Sequence, residues 1–81
     1  GAVAEAGMTE AMDTLRKCYF NDKRKVYHAQ KYAEYAVFLA QEWNDHTYLP
    51  QAKTWLEDII ASGESTTYKT RNLLKDVNAI L

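Results

Sequence analysis

Six residues, Val26, Ala29, Ala33, Ala36, Ala40 and Trp43, recur at alternating steps of three and four through a stretch free of Gly and Pro. That spacing places all six on one side of an α-helix. Four of the six are alanines, so a partner helix can approach with little side chain in between. A chain carrying such a seam is constrained to stack helices closely, and it reads as a scaffold rather than as a reaction centre.

The length of 81 residues allows one domain, in the range where a single core is only marginally sufficient without good packing or a neighbour. We therefore expect either a small domain spanning 9–81 or an excised part of a larger protein. Residues 1–8, rich in small side chains, are read as a flexible N-terminal segment or a cloning scar. The sequence is 47% apolar and 26% charged, with a formal net charge of -1. This balance excludes disorder by composition and argues against a partner selected by bulk charge. Only three Gly and one Pro occur, which suits a helical protein and not a β-rich one.

Helix boundaries follow from capping chemistry. Thr9 reads as an N-cap ahead of Glu10 and Asp13, opening a first helix over about 10–20 with a stripe of Met8, Ala11, Met12, Leu15, Cys18 and Tyr19. Asn21 and Asp22 make a short break. A second helix over about 23–43 carries the alanine seam and, beside it, His28, Tyr32, Tyr35 and Leu39. Apolar over more than half its girth, it is expected to be central. Asn44, Asp45 and His46 end it. Thr47 reads as the next N-cap, with Pro50 tolerable in the first turn of a third helix whose face is Ala52, Trp55, Leu56, Ile59 and Ile60. Gly63 stops that helix. Ser65 reads as the cap of a fourth, from about Thr66, with Leu73, Leu74, Val77, Ile80 and Leu81 as its apolar positions. The expected fold is all-α, an antiparallel array of four helices joined by short links.

The pattern also repeats. Leu39, Ala40 and Trp43 recur as Leu73, Leu74 and Val77, a displacement of about 34 residues. Ala11, Leu15 and Cys18 recur as Ala52, Leu56 and Ile59, about seven residues further apart. Seven residues are close to two helical turns, so the extra length barely rotates an apolar face. On these residues, with Tyr48 opening the third helix, the stretch of roughly 33–81 resembles a tetratricopeptide-repeat helical hairpin. It departs from the family at Ala36, where Trp is frequent, at Ile59, and in lacking Pro near Glu64. The resemblance implies a surface for peptides or protein segments, presented by the second helix through His28, Lys31, Tyr32, Tyr35 and Glu42.

No chemistry competes strongly with that reading. His28 and His46 stand in different elements, and one cysteine, Cys18, is too little for a structural zinc site, so neither a metal nor a cofactor is expected. Glu57 and Asp58 are adjacent and diverge by about 100° on a helix, which makes them a solvated face and not an acid/base pair. The isolated glycines form no phosphate loop. Arg16, Lys17, Lys23, Arg24 and Lys25, interleaved with Tyr19, Phe20 and Tyr27, are the one basic concentration. They support the alternative of a nucleic-acid-binding helical module, weakened by Asp22 in their midst.

The expectation is thus a non-enzymatic protein-protein interaction or assembly module binding a peptide or helix segment. Homo-oligomerisation, or packing on a neighbouring domain of a parent protein through the apolar fourth helix, is the other alternative. No apolar run approaches the roughly 18 residues that span a bilayer. A cytoplasmic location, or a nuclear one, with no membrane partner is expected.

Overall fold

The alanine seam becomes the interior of the longest helix. The computed structural model describes the backbone of residues 2–19, 25–64 and 67–81, with side chains from residue 5 to residue 17 in the first stretch and throughout the other two. Within these, α1 (Ala2–Tyr19), α2 (Lys25–Trp43), α3 (Leu49–Ala61) and α4 (Tyr68–Ile80) follow one another, and among the described residues there is no strand. The all-α fold of four packed helices is as the sequence predicts.

Helix α2 is central: α1, α3 and α4 all pack against it, α3 and α4 pack against each other, and among the described residues α2 is the one helix on which α1 packs. Ala29, Ala33 and Ala36 are wholly enclosed and Ala40 nearly so. With methyl groups along the seam, α2 can be approached closely there by a neighbouring helix. The result is a slab measuring 38 × 28 × 16 Å, thin enough for two layers of helix. Its core joins the seam to Met12 of α1, to Leu49, Ala52, Trp55, Leu56 and Ile59 of α3, and to Val77 of α4. Fully burying each of the larger side chains contributes about 1.5–3 kcal/mol.

The helix ends differ from expectation in instructive ways. Helix α1 begins at Ala2, in the stretch read as a flexible opening, and not near Glu10. Thr9 therefore lies inside it, and its hydroxyl donates to the Ala6 carbonyl at 2.9 Å instead of capping an end. The surrounding alanines favour helix, and a side chain at Gly7 would meet nothing within 4 Å, so Gly7 costs no more than the ordinary entropy of a glycine in an exposed helix. Met12 is enclosed, and Met8 and Leu15 are packed against the core, as the stripe predicts. The side chains of Cys18 and Tyr19, and the break at Asn21 and Asp22, lie outside the described residues.

Helix α2 ends at Asn44, whose φ of 54° is the left-handed conformation that Asn tolerates. The Asp45 amide donates back to the Leu39 carbonyl at 3.1 Å, and Asp45 Oδ1 accepts the Thr47 amide at 3.0 Å. Hydrogen bonds from the Thr47 hydroxyl and amide hold the Asp45 carboxyl below its usual range. Thr47 is thus engaged in the turn, and Tyr48, not Thr47, takes the N-cap position of α3, with Pro50 in the first turn. Helix α3 closes where Gly63 adopts φ 76° and its amide donates to the Ile60 carbonyl at 3.1 Å. The expected cap at Ser65 and start at Thr66 lie outside the described residues. Thr67, in extended backbone, precedes α4.

Candidate protein-binding face

Position along α2 decides which expected binding residues reach the surface. Three neighbouring helices bury a wide arc of this helix, and His28 and Tyr32 fall within it, at 5% and 3% exposure. Both were expected on an open face; both are interior. The Tyr32 ring lies 4.6 Å from the Trp55 ring and 6.2 Å from that of Tyr48, centroid to centroid, so it joins α2 to the beginning and middle of α3. Burial pushes its phenol up to about 12. Tyr48 is raised too, by burial first and then by the charges of Asp13 and Asp45. Tyr35 is half-buried, packed at the edge of the core. Lys31 is half-buried and Glu42 exposed.

What α2 does present outward is a second row: Tyr27, Lys31, Glu34 and Phe38, at steps of four, three and four. This spacing keeps the four on one narrow stripe, roughly opposite the alanine seam. Tyr27 is 50% exposed and Phe38 41%. Between them the charges are tied together. Glu34 receives Lys31 Nζ at 3.3 Å on Oε2 and, from α4, Lys69 Nζ at 3.2 Å on Oε1. Partial burial pushes Glu34 up, but hydrogen bonds and charge from the two lysines outweigh it, and its carboxyl titrates below its usual range. The hydrogen bond and charge of Glu34 in turn raise the Lys31 ammonium. Lys31 also sits 5.8 Å from the centre of the Tyr27 ring, within cation-π range.

Helix α4 borders this row. Gln30 Nε2 donates to Thr70 Oγ1 at 3.0 Å, and Thr70 is fully enclosed, so the start of α4 is pinned beside the middle of α2. Tyr68, at 83% exposure, stands next to that contact in sequence. At the other end the Phe38 ring meets Trp43 edge-on at 5.3 Å.

The sequence reading overlooked Phe38. A signal existed: it is an aromatic residue eleven positions after Tyr27, on the side of α2 that the alanine seam leaves to solvent.

The alternative site is brought together less clearly. Arg16 and Lys17 are exposed on α1 and Lys25 is half-buried at the start of α2, while Lys23 and Arg24 lie outside the described residues. His46 is exposed at the end of α2, with Nε2 3.0 Å from Asn44 Oδ1. Glu57 and Asp58 are exposed on α3, as expected of a solvated face. Among the described residues, no three His, Cys, Asp or Glu side chains gather into a metal-binding group, and no helix is long and apolar enough to cross a membrane.

These features define an all-α helical array with an aromatic and charged row on its central helix. No protein-family model matches the chain, and comparison with curated proteins and with solved structures returns no significant match.

Proposed function

We propose that the chain is a non-enzymatic interaction module that binds a helix or peptide segment along the outer face of α2. The observation that carries this reading is the row Tyr27, Lys31, Glu34 and Phe38 on the helix against which the other three pack. Its inner side is held by a dense core, so the outer side is preorganised and loses little freedom on binding. Its outer side offers large aromatic surface flanking an oriented charge pair, the composition that recognition surfaces favour. A partner helix with apolar residues at matching spacing would cover the aromatics and read the charges between them.

The packing of α4 against both α2 and α3 supports reading α2 and α3 as a tetratricopeptide-like hairpin on which α4 begins the next unit. In that reading α2 and the start of α4 share the binding side. Lys31, Tyr35 and Glu42 remain contributors from the expected set, with Phe38 and Tyr27 added.

Panning a displayed peptide library against the chain tests the proposal. Peptides with helical apolar spacing are expected, and Phe38→Ala should weaken them by at least about tenfold, the loss of one well-packed aromatic contact. Glu57→Gln, on the far solvated face, should leave them unchanged. A monomeric chain that yields no binder, or binders indifferent to Phe38, overturns the proposal.

A further inference from the structure

The outer row of α2 is complementary to itself. Steps of four, three and four are those of the seam positions of a coiled coil, where each side chain of one helix meets a defined partner on the other. If a second copy of α2 lies antiparallel across the first, with the axis between positions 32 and 33, position 31 faces 34 of the partner helix and 27 faces 38. Every layer is then favourable. Lys31 meets a glutamate, Glu34 meets a lysine, and the half-exposed Tyr27 and Phe38 rings cover one another at both ends. A parallel pairing sets lysine on lysine and glutamate on glutamate, so charge alone selects the antiparallel one.

We propose that this face pairs with a second copy of the same chain in a two-fold, antiparallel dimer centred on α2. The inference rests on reading the outer face of α2 as the binding surface, and it names the occupant. Two further observations support it. A two-fold contact must be made by one patch matching itself, and the order aromatic, cation, anion, aromatic does so about its own midpoint. In addition, Glu34 is already oriented, one carboxylate oxygen on Lys31 and the other on Lys69, so the lysine of the second copy arrives at a fixed carboxylate. This surface is distinct from the apolar positions of α4, which the sequence offered as the oligomerisation surface.

Sedimentation equilibrium over a wide concentration range at low ionic strength, with charge-reversal variants, tests the proposal. The wild-type chain should show a monomer-dimer equilibrium. Lys31→Glu sets four carboxylates together across the two-fold, and Glu34→Lys sets four ammonium groups together. Each should weaken the dimer by about 100-fold, since like-charge contacts at a docked face are costly on that scale. An equimolar mixture of the two variants should recover it, because each then presents the opposite sign to the other. Lys31→Glu leaves the Lys69 contact in place, and helical circular dichroism of each variant checks that the fold is kept.

A wild-type chain that remains monomeric, or a dimer equally strong in both single variants, overturns the proposal. If the monomer still binds library peptides through Phe38, the second copy is rejected and the binding face stands. If it binds none, both readings fall.

Discussion

The two faces of α2 assign residue size against the usual expectation. The middle of the inner face, where three helices converge, is the seam of Ala29, Ala33, Ala36 and Ala40, flanked by the buried Tyr32 and Leu39, while the outer face carries Tyr27 and Phe38 half-exposed to solvent. Hydrophobicity alone does not separate these faces, since both hold apolar residues. Size does. Methyl groups let three helices converge on one, whereas an aromatic ring held away from the core is surface available to a partner. The larger side chains that fill the core come from the flank of the seam, Tyr32 and Leu39, and from the neighbours, above all Trp55, Leu56 and Ile59 of α3.

The largest test of this division removes the large residue that completes the small face. Trp55→Ala should cost about 3–5 kcal/mol, because the ring is nearly enclosed and stacks on Tyr32. Domains this small hold little stability in reserve, so the thermal unfolding transition should fall steeply or vanish. A melting temperature within a few degrees of wild type would mean that α2 and α3 do not share a core.

Much of that inner face was legible in the sequence, and the reason is local. A small-residue period needs only one helix to be read, and the stripe of Ala52, Trp55, Leu56 and Ile59 likewise falls on the buried side of α3. Leu49 escaped because it stands at the first turn, before the period is established. The start of α1 was misread because Thr9 satisfies the capping pattern, and a threonine within a helix looks the same in sequence as one at its end. His28 and Tyr32 were placed outward because an amphipathic stripe does not reveal how many neighbours a helix has. Three neighbours bury an arc that two would leave open. Phe38 lies on the side opposite the seam, and whether that side is open depends on where the neighbours pack, which the periodicity of one helix does not reveal.

Tyr32 sharpens the comparison through pH. Its phenol is raised to about 12 from an ordinary 10.0 by burial on the inner face. The unfolded chain releases this proton near pH 10, while the folded chain holds it until about pH 12. The folded form is therefore the better proton binder. Its stability contribution is complete below pH 10 and is lost as pH rises through that window, to the extent of about 3 kcal/mol. Melting followed by circular dichroism should be flat in pH below the window and fall within it. Tyr32→Phe should remove much of that fall, and an alkaline profile unchanged by Tyr32→Phe would place this ring on the solvent side after all.

The finest test sets one substitution on each face two residues apart. Ala36 is fully enclosed, so Ala36→Leu forces extra methylenes between packed helices and should cost about 1–3 kcal/mol by overpacking. Phe38 is 41% exposed, so Phe38→Ala should change stability by less, about 1 kcal/mol, chiefly through the lost edge contact with Trp43. Adding bulk inside thus harms the fold more than removing a whole ring outside, although the second change deletes far more apolar surface. Denaturant titration of both variants measures the contrast, with the midpoint reporting stability and an unchanged slope certifying that the same surface unfolds. If the order reversed, Phe38 would be a structural residue, and the outer row would lose its claim to be kept for a partner. If it holds, the ring persists at a position where the isolated fold has little use for it.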